Sequence, residues 1–133
     1  MKNLADKVAL ITGGGRGIGR AIARAMAREG ASVGVAARSR AEVERVAAEI
    51  KEECKMAAFS FACDVSDSEQ VTALFKEATE KFGRAVDVLV NNAGVAESAP
   101  FVKTTDELWN KHLSINLSGT FYCTRARIFP WLP

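Results

Sequence analysis

The sequence predicts an α/β fold in which a parallel, doubly wound sheet is covered by helices on both faces. Three observations predict it. Short apolar runs alternate with segments whose apolar residues recur at helical spacing, with no linker, repeat or low-complexity stretch between them. The short runs are almost continuously apolar, as strands buried on both sides must be. Each step from strand to strand contains a helix-length crossover, which is how parallel neighbours are joined.

The elements follow in order. Val8-Ala9-Leu10-Ile11 reads as the first buried strand. Ile18, Ala21, Ile22, Ala25 and Met26 make the apolar stripe of a helix that Gly30 ends. Val33-Gly34-Val35-Ala36 is the second strand, and Ser39 with Glu42 forms a capping box for a helix whose stripe is Val43, Val46, Ala47 and Ile50. Residues 57–62 are the third strand. A second capping box, Ser66 with Glu69, opens a helix with the stripe Val71, Leu74, Phe75, Ala78 and Phe82. Residues 86–90 are the fourth strand, interrupted only by Asp87, and Thr104 with Glu107 opens a long final helix reaching about Pro130. This βαβαβαβα order is that of a Rossmann-like half with expected strand order 3-2-1-4, and residues 1–133 read as one domain.

Bulk properties exclude several functions. A net charge of +2 is too small to suggest nucleic acid or an acidic membrane as partner. No apolar run approaches the roughly 18 residues of a membrane span, and the first residues lack the apolar region of a signal peptide. Cys54, Cys63 and Cys123 are odd in number and form no CxxC pair, so neither a disulfide framework nor a metal site is expected, and a reducing cytoplasm is the expected location. His112, the only histidine, has no partners at ligand spacing and reads as an exposed helix residue.

The chemistry is concentrated between the first strand and first helix, in Thr12-Gly13-Gly14-Gly15-Arg16-Gly17-Ile18-Gly19. Glycines let the backbone turn tightly and approach a phosphate without an intervening Cβ. The N–H groups and positive dipole end of the following helix then favour an anion. The spacing T-G-x-x-x-G-I-G resembles that of the short-chain dehydrogenase/reductase family. Asp64-Val65 after the third strand, Asn91-Asn92-Ala93-Gly94 after the fourth, and Asn116 in the final helix extend the resemblance over essentially the whole chain. It implies a nicotinamide dinucleotide as ligand, held by Gly13, Gly15, Arg16, Gly17, Ile18, Gly19, Arg38, Asp64, Val65, Asn92, Ala93 and Gly94. It also implies that Asn116 distorts its helix and helps hold a proton-relay water, the one catalytic role carried by this chain. NAD-preferring relatives place an acid where Ala37 stands. Arg38 follows it, and Arg16 lies in the loop, so two guanidinium forks are available to an adenosine 2′-phosphate. NADP(H) is therefore the expected cofactor, with NAD(H) as the alternative.

The family's proton transfer uses a tyrosine followed four residues later by a lysine. A tyrosine of pKa about 10 shuttles protons poorly at neutral pH without a nearby cation. The only tyrosine here, Tyr122, is followed four residues later by Ala126, and the last lysine is Lys111. Tyr122 reads as a packing residue, and Ser114 and Ser118 precede the place where the family's catalytic serine falls. The resemblance thus implies the cofactor-binding, N-terminal part of an oxidoreductase, incomplete relative to the family. Carbonyl or alcohol substrates, with 3-oxoacyl thioesters the nearest in appearance, are expected only if the site is completed. The alternative is a non-catalytic dinucleotide-binding module that pairs with a complete relative. Trp109 and Phe121 are expected in the core or at a subunit contact. The fourth strand is expected to present an open apolar edge, which makes an oligomer the expected state.

Overall fold

The computed structural model describes residues 2–128. Strands β1 (Val8–Thr12), β2 (Ser32–Ala37), β3 (Ala58–Ala62) and β4 (Val88–Val90) form one parallel sheet in the order β3-β2-β1-β4, as expected. Helices α1 (Gly17–Arg28), α2 (Arg40–Cys54) and α3 (Ser68–Phe82) join the strands. A 3₁₀ turn (Phe101–Lys103), α4 (Asp106–His112), a π-helical segment (Leu113–Ser118) and α5 (Gly119–Ile128) follow β4. The expected continuation of the last helix to Pro130 lies outside the described residues.

Alternation along β1 divides the core between the two faces. Ala9 and Ile11 pack with Ala23, Val33, Val35, Val43 and Ile50 on the α1/α2 side. Val8 and Leu10 pack with Phe61, Val71, Leu74, Phe75 and Cys123 on the α3/α5 side. The apolar stripes of α2 and α3 expected from the sequence are the buried ones, and burial of such stripes supplies most of the stability of helices this short.

Five expectations are corrected. The capping residue of α3 is Asp67, not Ser66: its carboxylate accepts from Glu69 and Gln70 N–H at 3.0 and 3.2 Å, while the Ser66 hydroxyl donates to Asp64 at 2.7 Å. The cap of α4 is Thr105, whose hydroxyl accepts from Leu108 N–H at 3.1 Å, while Thr104 donates to the Pro100 carbonyl at 3.3 Å. The fourth strand is shorter than expected because the Asp87 carboxylate takes the Val8 N–H at 2.8 Å, a donor that a longer ladder would use. The buried face of α1 is Gly19, Ala23 and Ala27 rather than the expected stripe, of which Ile18, Ala21 and Ala25 are exposed. Trp109 and Phe121, expected in the core or at a subunit contact, lie outside the core, 60% and 55% exposed. Tyr122 does pack, half-buried against the α3/α5 core.

Candidate dinucleotide site

The carboxyl ends of β1, β2, β3 and β4 open onto one cleft of about 700 Å³. It is lined by Gly13, Gly15, Arg16, Gly17, Ile18, Arg38, Asp64, Val65, Asn92, Ala93 and Gly94, so all but one of the residues expected to bind a cofactor meet here from four separate loops. The exception is Gly19, which is buried in the first turn of α1 and shapes the loop from behind. A Cβ on Gly19 would stand 2.1 Å from the Gly13 carbonyl oxygen, closer than any side chain is tolerated. Gly17 has nothing near its absent Cβ but adopts φ +57°, a left-handed conformation that favours glycine.

The loop delivers an anion-seeking helix end. Ser39, Asp67 and Thr105 cap α2, α3 and α4 with their own side chains, whereas the residue before α1, Arg16, supplies no capping hydrogen bond. The first N–H groups of α1 are left for an external acceptor, at the positive end of the helix dipole. Arg16 and Arg38 are exposed and, among the described residues, neither has a carboxylate within ion-pair distance. Arg20 and Arg24, further along α1, are instead paired with Glu49 and Glu53 of α2.

The wall beyond β4 is tied to β1 by Thr12. This buried hydroxyl accepts from Asn92 and Ala93 N–H at 3.1 and 3.0 Å and donates to the Val90 carbonyl at 3.4 Å. Asn92 reaches back, donating from Nδ2 to the Gly13 carbonyl at 3.1 Å. On the third side, Asp64 Oδ1 accepts from both the N–H and the hydroxyl of Ser66, which fixes the carboxylate at the rim. A Cβ on Gly119 would stand 2.7 Å from Val65 Cγ2, so this glycine lets α5 approach the exit of β3.

Asn116 lies within the π-helical segment, the helix distortion that the resemblance implied. Both ends of its amide engage one residue: Oδ1 accepts from Val95 N–H and Nδ2 donates to the Val95 carbonyl, each at 2.8 Å. Asn116 therefore clamps the loop after β4. His112 is half-buried rather than exposed: Nε2 accepts from Glu97 N–H at 3.0 Å, and Nδ1 lies 2.8 Å from the Leu108 carbonyl, which identifies Nδ1 as the protonated nitrogen. Lys111 pairs with Glu97, and that contact holds the Glu97 carboxyl below its usual range.

Sequence reasoning did not single out Cys63, Val95 or Ile115, which also line the cleft, nor the bracing role of Thr12. Only the fold reveals them, because their partners are distant in sequence. A second, more apolar cleft of about 570 Å³ between α3 and α5 contains Phe75, Val86, Tyr122 and Ala126 and none of the expected cofactor residues. Among the described residues, no helix is long and apolar enough to cross a membrane.

Comparison with known proteins agrees with this geometry. The chain is 42% identical over 123 residues to D-threitol dehydrogenase of Mycolicibacterium smegmatis, covering 92% of this chain and 46% of that one. It is 40% identical over 118 residues to a 3-oxoacyl-[acyl-carrier-protein] reductase of Staphylococcus aureus, covering 88% and 47%. The crystal structure of an alcohol dehydrogenase from Thermococcus sibiricus in complex with 5-hydroxy-NADP matches with a TM-score of 0.89 at 38% identity, over 92% of this chain and 52% of that one. The chain thus spans about half the length of the curated relatives it matches. The short chain dehydrogenase family matches residues 7–131, and together with the glycine loop and its four-loop cleft this establishes that the chain belongs to that family of oxidoreductases.

Proposed function

We propose that this chain forms the cofactor-binding part of an NADP(H)-dependent oxidoreductase that interconverts carbonyls and alcohols, with 3-oxoacyl thioesters as the proposed substrate class. The observation that carries the cofactor choice is the pair of exposed guanidinium groups, Arg16 and Arg38, without an ion-pair partner among the described residues, on the cleft where β2 ends in Ala37 rather than an acid. The uncapped N-terminus of α1 suits the pyrophosphate, and the close approach at Gly19 keeps that helix end against the loop. When bound, the nicotinamide supplies a hydride donor or acceptor. The chain's own residues hold the adenosine end, shape the loop and, through Asn116 and Val95, position the wall beside the reacting end. The Asn116 amide spends one acceptor and one donor position on Val95, and its oxygen and nitrogen each keep one more for a relay water. The reading also places the protein in a reducing cytoplasm, on the strength of its three unpaired cysteines.

Titration calorimetry with NADP⁺ and NAD⁺ tests the cofactor. We expect tighter binding of NADP⁺, and Arg38→Asp should weaken it about tenfold relative to NAD⁺, the loss of one charge-assisted phosphate contact. Unchanged discrimination in the variant would remove the basis for NADP(H).

A second reading is a dinucleotide-binding module that works beside a complete relative. These 133 residues span about half the length of the relatives and hold the dinucleotide cleft without a Tyr-x-x-x-Lys sequence. On that reading the chain binds cofactor but does not reduce a small 3-oxo ester with NADPH, and turnover above background would sink it.

A further inference from the structure

One charged group in the cleft is used neither by the fold nor by the cofactor reading. Glu42 stands in the first turn of α2 and lines the cleft with Arg16, Arg38 and Ser39. Only half of the expected capping box forms. The Glu42 N–H donates to Ser39 Oγ at 3.3 Å, but the carboxylate does not return to the Ser39 amide, and among the described residues no donor reaches it. The carboxylate lies against the glycine loop instead: a Cβ on Gly15 would be 3.1 Å from Glu42 Oε2. Glu42 is half-buried there, and Gly15 is buried. Along the α1/α2 contact Arg20 and Arg24 are paired, whereas Arg16, Arg38 and Glu42, which line the cleft, have no ion-pair partner among the described residues.

We infer that Glu42 is a specificity-determining residue of this cleft that acts against Arg16 and Arg38. The inference rests on the dinucleotide reading proposed above. A carboxylate in the cleft raises the energy of a dianionic 2′-phosphate, whereas it accepts a hydrogen bond from a 2′-hydroxyl. Selectivity is a difference between two affinities and is set as much by the repulsive group as by the attractive ones. In this chain two cations favour the phosphorylated adenosine and one anion opposes it, so the cleft discriminates less than its arginines alone would.

The test compares Glu42→Gln with Glu44→Gln, which removes the same charge from an exposed position on the same helix that does not line the cleft. Affinities of the full chain for NADP⁺ and NAD⁺ are measured by calorimetry at low and high salt. Glu42→Gln is expected to raise the ratio of NADP⁺ to NAD⁺ affinity about fivefold at low salt, with the gain shrinking as salt screens the charge. Glu44→Gln is expected to leave the ratio unchanged. An unchanged ratio in Glu42→Gln overturns the inference. A lowered ratio overturns it too, by showing that the carboxylate serves to orient an arginine. An equal rise in both variants overturns it as an effect of net charge. A wild-type chain that binds neither dinucleotide overturns the cofactor reading itself, and the inference with it, so the two failures are distinguishable.

Discussion

At the scale of single residues, Thr12 holds the cleft together. It is the only buried polar side chain among the described residues, and it satisfies two N–H groups of the loop beyond β4 from the end of β1. Thr12→Val keeps the shape of the side chain but leaves the Asn92 and Ala93 amides without their acceptor. The expected cost is about 2 kcal/mol of unfolding free energy, with Thr12→Ser recovering most of it, as read by guanidinium unfolding. A loss equal in both variants would mean that the methyl contact, not the hydroxyl, matters. The sequence showed Thr12 only as the start of a glycine motif. Its role stayed hidden because its partners lie 80 and 81 residues away, beyond any local pattern.

At the scale of elements, the π-helical segment is the least ordinary part of the chain. A π turn widens the helix, and such turns mark functional sites more often than ordinary helix does. Here it carries Asn116, which faces Val95, while Ser114 and Thr120 direct their hydroxyls to the carbonyls four residues back. Asn116→Ala should release the loop after β4 without unfolding α5. Hydrogen exchange at Val95 is expected to accelerate at least about tenfold, the amides of α5 being unchanged. Equal acceleration in both places would show that the asparagine stabilises the helix rather than the loop. The elements themselves were legible because the apolar periodicity of α2 and α3 is strong. Their first residues were less so: several Ser, Thr and Asp side chains compete for each cap, and the winner depends on what the others bind, as Ser66 and Thr104 show. The end of the β4 ladder turned on the side chain of Asp87, which a reading of apolar runs treats as a mere interruption.

At the scale of the whole molecule, stability should depend on two thiols. Burial, then the neighbouring Cys123, Asp64 and Asp67, pushes Cys63 up to about 12, and burial pushes Cys123 up to about 11. Both exceed the ordinary thiol value of 9.0, so above that pH the unfolded chain loses protons that the folded chain retains. The contribution is fully present below about pH 9 and is lost as the pH rises towards the folded values. Urea unfolding between about pH 7 and 10.5 is expected to show this decline, and a Cys63→Ala/Cys123→Ala variant should decline less steeply. Identical slopes would show that other groups govern the alkaline limb. The strand order was legible from the chain alone, since alternating strands and helices leave few right-handed parallel arrangements. The set of cleft residues was legible through the resemblance to the short-chain dehydrogenase/reductase family, and the fold gathers them because every loop at the carboxyl ends of the strands opens on the same side.

The central position of β1 has a further consequence, for the sequence of events in folding. β1 pairs on one side with β2, its next neighbour along the chain, and on the other with β4, reached only after β2, β3 and three helices. Loop-closure entropy disfavours the second pairing until the rest is in place, so β4 is expected to join last. The wall built by Asn92, Ala93 and Val95 arrives with it. A ligand that touches both walls then recognises only the finished molecule, and acts as a brake on unfolding rather than as an aid to assembly.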